Sequence, residues 1–339
     1  MSVDAKSDKL MSGPPVLRVG HLLAFTSWLS STGVPVEPLL RAQKLPVMCN
    51  EPDYFVPVPN LWSFFDAAAR NVDPDLGWLV GKHVGDQNLS HRLLQKLERA
   101  PSLYLALQGL VQSVREEASD LRLGLYERVE DVLLFTHYPG LSDLPGYDQS
   151  QAYQLGLFIG LIRHFLGQHW IPDEIGIQCQ RAPAGIIHIF PHSRIRTGQN
   201  MAYVAIPRNV LARTAVACAG ETLPETMSGA MDDFDFAGKL RAIIRSYLAD
   251  GYPPASFAAA LMGTSERTLA RRLSAKGLTY GSLVDDLRFT TAKELLQNSD
   301  QHVGEIALSI GFEDQSNFNR MFRRMGGVSP KQFRKATRH

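Results

Sequence analysis

The stretch VGEIALSIGFEDQSNFNRMFRR, residues 303–324, decides the fold of the C-terminal part of the chain. Apolar side chains recur at helical spacing in its first half, at Ile306, Ala307 and Ile310. Gly311 is placed to end that helix, and Asp314 is placed to cap a second one. Phe318 and Phe322, four residues apart, predict that one face of the second helix is buried. The stretch therefore predicts two short helices joined by a tight turn, a helix-turn-helix unit.

The remaining faces of this second helix carry side chains that suit contact with DNA. We predict DNA contacts from Gln315, Ser316, Asn319, Arg320 and Arg323. Arginine can form paired hydrogen bonds with guanine, and asparagine or glutamine can do so with adenine. The aromatic residues Phe312, Phe318 and Phe322 lie on the packing side, so we expect them in the core and not as platforms for base stacking.

An earlier stretch, SFAAALMGTSERTLARRL at residues 256–273, repeats the same arrangement. Gly263 marks the break between two helices, and Ser265 is placed to cap the second one. Leu269 and Leu273 give that helix one apolar face. The DNA contacts predicted here are Ser265, Arg267, Thr268, Arg271 and Arg272.

Residues 280–297 separate the two copies and have the apolar spacing of a single helix. Eighteen residues at 1.5 Å each give a length of roughly 27 Å. A spacer of this size suits two recognition helices about one turn of B-DNA apart, roughly 34 Å. Within it, we expect Arg288 to form a structural ion pair with a nearby carboxylate. We place the two helix-turn-helix units at about 256–275 and 303–325, so one chain can span two adjacent major grooves.

Residues 239–337 resemble the DNA-binding domain of the AraC/XylS family of regulators. The first part of the resemblance is carried by Ser265, Arg267, Thr268, Leu269, Arg271, Arg272, Leu273 and Gly277, followed by Arg288, Ala292, Leu295 and Leu296. The second part is carried by Ile306, Ala307, Gly311, Phe312, Ser316, Phe318, Arg320, Phe322, Arg323, Gly327, Ser329, Pro330, Phe333 and Arg334. The resemblance implies an all-α domain that contacts DNA with two helix-turn-helix units. Residues 252–256, YPPAS, depart from the more polar helix start of many members and leave the predicted DNA contacts untouched.

Charge is distributed unevenly along the chain of 339 residues, although its formal net charge is only +1. Residues 239–339 contain 16 Lys and Arg against 9 Asp and Glu, a net charge of +7, whereas residues 1–238 carry −6. A basic domain joined to an acidic one suits a polyanionic partner for the basic part. Three widely spaced cysteines, at 49, 179 and 218, suit a reducing cytoplasm. No apolar run reaches the length of a membrane span.

The N-terminal region has the pattern of an α+β domain, with helices first and an antiparallel sheet after them. We predict a helix, a turn and a short helix over 17–45, helices at 61–69, 102–111 and 151–169, a hairpin of 121–126 with 131–138, and strands at 174–178, 186–190 and 202–206. An acidic segment without periodicity, 219–236, is predicted to link the domains. The predicted organisation is an effector-binding or dimerisation domain at 17–218, this linker, and the DNA-binding domain at 237–337.

The N-terminal region is similar to the arabinose-binding-type effector domain found in part of the same family. The similarity rests on Pro46, the proline-rich link before Trp62, the run DLGWLVG at 75–81, and the strand pair before the long helix. This label names a sequence family and not a sugar. The resemblance implies that the region binds a small-molecule effector or dimerises.

The sequence thus predicts a bacterial transcription regulator that binds double-stranded promoter DNA in a sequence-specific way. We interpret it as an activator controlled by a small-molecule effector, with RNA polymerase and a second copy of the chain as protein partners. The alternative is a ligand-independent regulator whose N-terminal domain recruits a protein partner or dimerises.

An enzyme docked to nucleic acid is disfavoured by the sequence. It shows no G-x-S-x-G nucleophile pattern and no glycine-rich phosphate loop. We therefore predict no catalytic residue and no cofactor. His188 and His192 flank a proline without other ligands nearby, and they do not predict a metal site.

Overall fold

The computed structural model describes residues 13–87, 100–214 and 235–337. Nearly all of the predicted linker, and Cys218, lie outside these residues. Contacts divide the chain into two compact units. A mixed unit comprises Gly20–Leu39 and Val58–Asp233, and a helical unit comprises Met1–Val19, Leu40–Pro57 and Phe234–His339. Across the described residues, no helix has the length and apolar character needed to cross a membrane.

The first two thirds of the chain alternate helices and short strands. In order they are β1 (Val16–Arg18), α1 (Val19–Ser31), α2 (Val36–Ala42), β2 (Phe55–Pro57), α3 (Val58–Asn71), α4 (Leu76–Gln87), α5 (Leu103–Glu117), β3 (Arg122–Glu127), β4 (Asp131–His137), α6 (Tyr147–Leu166), β5 (Glu174–Gly176), α7 (Ala184–Ile189), β6 (Arg194–Arg196) and β7 (Ala202–Pro207). The predicted helices, the hairpin and the strands at 174–178 and 202–206 are confirmed within a few residues.

The mixed unit is built on a five-stranded sheet in the order β3-β4-β7-β5-β6. The predicted hairpin pairs antiparallel from Arg122 opposite His137 to Glu127 opposite Val132. The β5–β6 pair is parallel, so the sheet is not wholly antiparallel as predicted. The strand predicted at 186–190 is wrong, because these residues belong to helix α7, which starts after Pro183. A short apolar run does not distinguish a strand from a buried helical turn by periodicity alone.

Helix α6 lies in the core of the mixed unit and contacts α4 at very short range. The α-carbon of Gly81 lies so close to Tyr153 that an added Cβ would be 2.5 Å from the Tyr153 carbonyl oxygen. Across the same contact, a Cβ on Gly156 would be 2.9 Å from the Gly81 α-carbon. On its other side α6 contacts the sheet through a buried hydrogen bond of 2.7 Å from Thr136 to Gln154. The DLGWLVG run therefore has a packing role, since only glycine permits this approach of backbones.

The buried carboxylate of Glu174 connects the three strands β5, β6 and β7 at one edge of the sheet. Glu174 accepts hydrogen bonds from Tyr203 at 2.9 Å, Arg128 at 3.1 Å and Arg196 at 3.3 Å. Burial on its own raises the pKa of Glu174, but these hydrogen bonds outweigh it and hold the pKa below its usual value. Glu174 therefore stays ionised in the folded protein and ties together β5, β6 and β7.

Over residues 235–337, the helical unit contains seven α-helices. They are α8 (Phe236–Tyr247), α9 (Ala255–Leu261), α10 (Glu266–Ser274), α11 (Tyr280–Asn298), α12 (Val303–Ser309), α13 (Gln315–Gly326) and α14 (Pro330–Thr337). Asp235 caps α8 by accepting a hydrogen bond from the Gly238 amide at 2.9 Å. The hydrogen bond from the Lys276 ammonium is the main reason that the pKa of Asp235 lies below its usual value.

Two segments from the start of the chain are part of the helical unit, and we call residues 13–19 and 40–57 the N-terminal clasp. Strands β1 and β2 of the clasp pair with each other, with Val16 opposite Pro57. The buried hydroxyl of Ser246 on α8 donates a hydrogen bond to the Phe55 carbonyl at 3.0 Å. The Asp250 carboxylate accepts hydrogen bonds from the backbone amides of Val47 at 2.8 Å and Met48 at 2.7 Å.

Replacing Asp250 with alanine should release the clasp from the end of α8. The variant loses both amide contacts, and because the carboxylate is exposed, we expect a loss of about 1–2 kcal/mol in the free energy of unfolding. Hydrogen exchange should show the Val47 and Met48 amides losing protection while the Leu269 amide in α10 keeps it. Unchanged protection at both clasp amides would contradict the role given to Asp250.

Candidate nucleic-acid interface

The first helix-turn-helix unit consists of α9 and α10. In the turn between them, Gly263 has a φ of +62°, a conformation that glycine adopts without strain. Ser265 caps α10, because its hydroxyl accepts a hydrogen bond from the Thr268 amide at 3.3 Å. Leu269 and Leu273 are buried, so α10 is held by one apolar face. The cap and the packing face predicted from the sequence are confirmed.

The predicted DNA contacts of α10 differ in their surroundings. Arg267 and Arg271 are exposed and lie four residues apart on the same side of the helix. Thr268 is half-buried beside the cap. Arg272 is also half-buried, with its guanidinium 4.6 Å from the centre of the Phe236 ring on α8. Of the arginines on this helix, Arg267 and Arg271 are therefore the better presented to a partner.

The second helix-turn-helix unit consists of α12 and α13. Asp314 caps α13 through the Asn317 amide at 2.7 Å, as predicted. Phe318 and Phe322 are fully buried in a cluster with Ile306 and its neighbours on α12 and α11. The prediction of core is confirmed for Phe318 and Phe322, which fix α13 on one face, whereas Phe312 is half-buried and packs against the cluster.

The opposite side of α13 presents a row of polar side chains. Gln315, Ser316, Arg320 and Arg323 are exposed and Asn319 is half-buried. The sequence interpretation missed Asn317, whose side chain links the cap residue to one residue of this row: its amide nitrogen donates to Asp314 and its oxygen accepts from Arg320. The spacing of three residues from Asn317 to each partner was the available signal. Asn317 therefore orients the Arg320 guanidinium along the start of the helix.

The spacer helix α11 holds the two units through Arg288. This residue is 6% exposed, and its guanidinium donates a hydrogen bond of 2.6 Å to the Gly311 carbonyl in the turn of the second unit. The same guanidinium lies between the rings of Tyr252, at 5.0 Å, and Phe312, at 4.5 Å. Burial lowers the pKa of Arg288. The predicted structural role is confirmed, but the partner is a carbonyl and not the predicted carboxylate.

Gly311 lies against the backbone carbonyls of Leu248 and Gly251, closer than any residue with a side chain could. Its φ is +78°, and a Cβ there would clash with the Leu248 carbonyl and lie 2.9 Å from the Gly251 carbonyl. Tyr252 comes just before α9, so this contact joins the start of the first unit, the spacer and the turn of the second. The position of one recognition helix relative to the other therefore depends on a few buried atoms.

Residues that could hold a metal or cofactor are not grouped at this surface. His188 lies on α7 and His192 in the loop after it. Across the ranges that the structure describes, no three His, Cys, Asp or Glu side chains form a group suited to a metal ion. The chemistry available on α10 and α13 is that of exposed arginine, amide and hydroxyl groups on rigid helices.

Two capped helices, each fixed by an apolar face and carrying exposed arginines, define a DNA-binding regulator of the class with two helix-turn-helix units. The chain belongs to the AraC family of transcription regulators. The family described as the arabinose-binding domain of AraC transcription regulator, N-terminal, matches residues 33–215, more than half of the chain. The family described as a helix-turn-helix domain matches residues 258–336. These are families of regulators and not of enzymes.

Individual relatives match part of the chain. The ornithine utilization regulator of Pseudomonas aeruginosa is 40% identical over 101 residues, 29% of this chain and 30% of the relative. The regulator VqsM of the same organism is 33% identical over 153 residues, 44% and 43% of the two chains. The activator RhaS of Escherichia fergusonii is 44% identical over 71 residues, 21% and 26% of the two chains. The chain thus spans less than half the length of these curated relatives.

Solved structures that match the chain include the regulator CdpR of Pseudomonas aeruginosa, at 19% identity and a TM-score of 0.38, covering 89% of this chain and 96% of that one. The DNA-binding domain of AdpA, solved in complex with a target DNA, is 30% identical at a TM-score of 0.28. The match covers 30% of this chain and 92% of the AdpA domain.

Proposed function

We propose that the chain binds promoter DNA by placing α10 and α13 in adjacent major grooves. The observation that carries this proposal is the pair of exposed polar faces on two helices whose opposite faces are buried. On α13 we assign base contacts to Gln315, Asn319 and Arg320, because amide and guanidinium groups can pair with base edges. The remaining residues of the interface are Ser265, Arg267, Thr268, Arg271, Arg272, Ser316 and Arg323. Those that reach phosphates position the protein without selecting a sequence.

In this proposal, the mixed unit controls how tightly the regulator binds DNA. Its family match to the arabinose-binding-type domain supports a small-molecule effector that binds two states of the protein differently and so changes affinity for DNA. We propose activation, through contact with RNA polymerase, as the outcome, and dimerisation as a further role of this domain. The relative RhaS, which is described as an activator, supports the first of these.

Selection from a random duplex library with the full chain tests the DNA proposal. We expect a bipartite site whose two short blocks lie about one helical turn apart. Repeating the selection with a cell metabolite extract tests effector control. The absence of any enriched sequence under both conditions would refute sequence-specific binding.

Replacing Arg320 with alanine should weaken binding to the selected site by about 1–3 kcal/mol if its guanidinium contacts a base. The expected loss is specific, so affinity for random DNA should change much less. Fluorescence anisotropy with both duplexes measures the difference. The matched control is Arg324→Ala, which removes an exposed arginine of the same helix whose guanidinium is paired with Asp285 at 2.6 Å. An equal loss on both duplexes would assign Arg320 to a phosphate instead.

A further inference from the structure

The sheet of the mixed unit has two edges, which differ in how they are protected. In the described part of the chain, β3 and β6 lie at the two ends of the sheet, and no strand pairs with the far side of either. Native proteins usually protect such edges, because free N–H and C=O groups pair with strands of other chains. Strand β6 is three residues long, and two of them are arginines, Arg194 and Arg196. A short, charged strand of this kind resists pairing with a second chain.

Strand β3 lacks these protections along its central part. It has six residues, RLGLYE at 122–127, and pairs with β4 in continuous register without a bulge. The four residues from Leu123 to Tyr126 are uncharged, and the strand contains no proline. Tyr126 is 59% exposed, and Val129 in the turn after the strand is 92% exposed. An uncharged edge of this length beside exposed apolar side chains favours the addition of another strand.

The hairpin turn determines which backbone groups of β3 face outward. The Arg128 amide donates to the Asp131 carbonyl at 2.9 Å, so the backbone of Arg128 faces β4. Backbone N–H and C=O groups alternate in direction along an antiparallel strand, two residues to a repeat. The backbone groups at 122, 124 and 126 therefore also face β4. Those of Leu123 and Leu125 point away from β4, toward the open edge.

The order of residues in β3 suits antiparallel pairing with a second copy of the same strand. We consider a two-fold axis that is perpendicular to the sheet and passes between the two Gly124 residues. Leu123 of each copy then lies opposite Leu125 of the other, and their outward N–H and C=O groups bond to each other.

The side chains favour this register over its neighbour. With the axis at Gly124, Arg122 of each copy lies opposite Tyr126 of the other on the same face of the sheet, where a guanidinium can pack on a ring. With the axis at Leu125, Arg122 would instead lie opposite Arg128 of the second copy, and like charges placed opposite each other are unfavourable. Charge therefore selects the register centred on Gly124.

We propose that two copies of the chain dimerise by pairing their β3 strands antiparallel in the register centred on Gly124, which joins their two sheets. An apolar cluster on one face of the sheet reaches this contact: Phe135 packs with Leu133 and Tyr203, and its ring lies over Gly124, where an added Cβ would be 2.6 Å from it. The contact closes at two copies, because each copy uses the same edge. The inference rests on the dimerisation proposed above and gives it a surface and a register.

Analytical ultracentrifugation of the full chain over a range of concentrations measures the dimer. Tyr126→Lys should weaken dimerisation about tenfold or more, because it places a lysine opposite Arg122 at two symmetric positions. Adding Arg122→Glu to that variant should restore dimerisation, since a glutamate then lies opposite the lysine. The matched control is Ile187→Lys, which changes a 54% exposed residue on α7 and should leave the dimer unaltered. Circular dichroism of each variant verifies that it is folded.

Hydrogen exchange of the unchanged chain provides a second measurement. As the concentration rises, the Leu123 and Leu125 amides should gain protection because they bond to the second copy. The Gly124 amide faces β4, so its protection should stay constant.

Three results would overturn the proposal: a chain that is monomeric at every concentration, a Tyr126→Lys variant that dimerises as tightly as the unchanged chain, or a double variant that dimerises no better than Tyr126→Lys alone. In the second case dimerisation stands and the β3 surface does not. The DNA proposal is judged separately by the bipartite site, because one chain carries both helix-turn-helix units.

Discussion

Replacing Gly311 with alanine is expected to lower the free energy of unfolding of the helical unit by about 3 kcal/mol. The new Cβ has no space, because the Leu248 and Gly251 carbonyls lie against the α-carbon, and both belong to backbone that cannot rotate away. The φ of +78° adds strain for any residue with a side chain. Displacing the turn also removes the carbonyl that Arg288 contacts.

Two optical signals can locate this loss, because all four tryptophans, at 28, 62, 78 and 170, belong to the mixed unit. In urea, the helical circular dichroism signal of the variant should begin to fall at lower concentration, while the tryptophan fluorescence transition stays in place. The control is Gly263→Ala, with a similar φ of +62° but no atom within 4 Å of the added Cβ. It should cost only the backbone strain, about 1 kcal/mol. Equal losses in the two variants would mean that the clash is relieved by movement of the turn.

The second large effect is expected for Arg288→Met, which keeps much of the length of the side chain and removes its charge. We expect a loss of about 2–3 kcal/mol, because a buried charge-assisted hydrogen bond disappears and the Gly311 carbonyl is left without this donor. Arg288→Lys should recover only part of the loss, since an ammonium does not stack between Tyr252 and Phe312 as a planar guanidinium does. Urea unfolding followed by circular dichroism measures both variants.

Arg324→Met is the matched control, because it removes an exposed ion pair between α13 and the same spacer helix, and such pairs contribute less than about 1 kcal/mol. In the library selection, we expect Arg288→Met to weaken the base preference in the sequence block contacted by α13. The base preference in the block contacted by α10 should be retained. If the Arg288 and Arg324 variants prove equally stable, the buried contact does not hold the second unit.

The helix-turn-helix units could be predicted because their determinants are local. Ser265 and Asp314 cap helices through amides three residues away, and the buried leucines and phenylalanines recur at helical spacing. The partner of Arg288 could not be predicted, because a carbonyl 23 residues away has no residue type that marks it as an acceptor. The same holds for the clasp, whose amides meet Asp250 across more than 200 residues. The apolar run at 186–190 predicts a strand as readily as the helix found there, because a run of that length fits both structures.

The N-terminal clasp also sets an order of events during synthesis. Val47 leaves the ribosome 203 residues before Asp250, the acceptor that holds its amide. At bacterial-type elongation rates of 5–20 residues per second, that interval is roughly 10–40 s. Throughout this interval the nascent chain contains the N-terminal clasp but not yet Asp250, whose carboxylate holds the clasp amides. The clasp therefore cannot reach its final contacts until the chain has been made at least as far as Asp250.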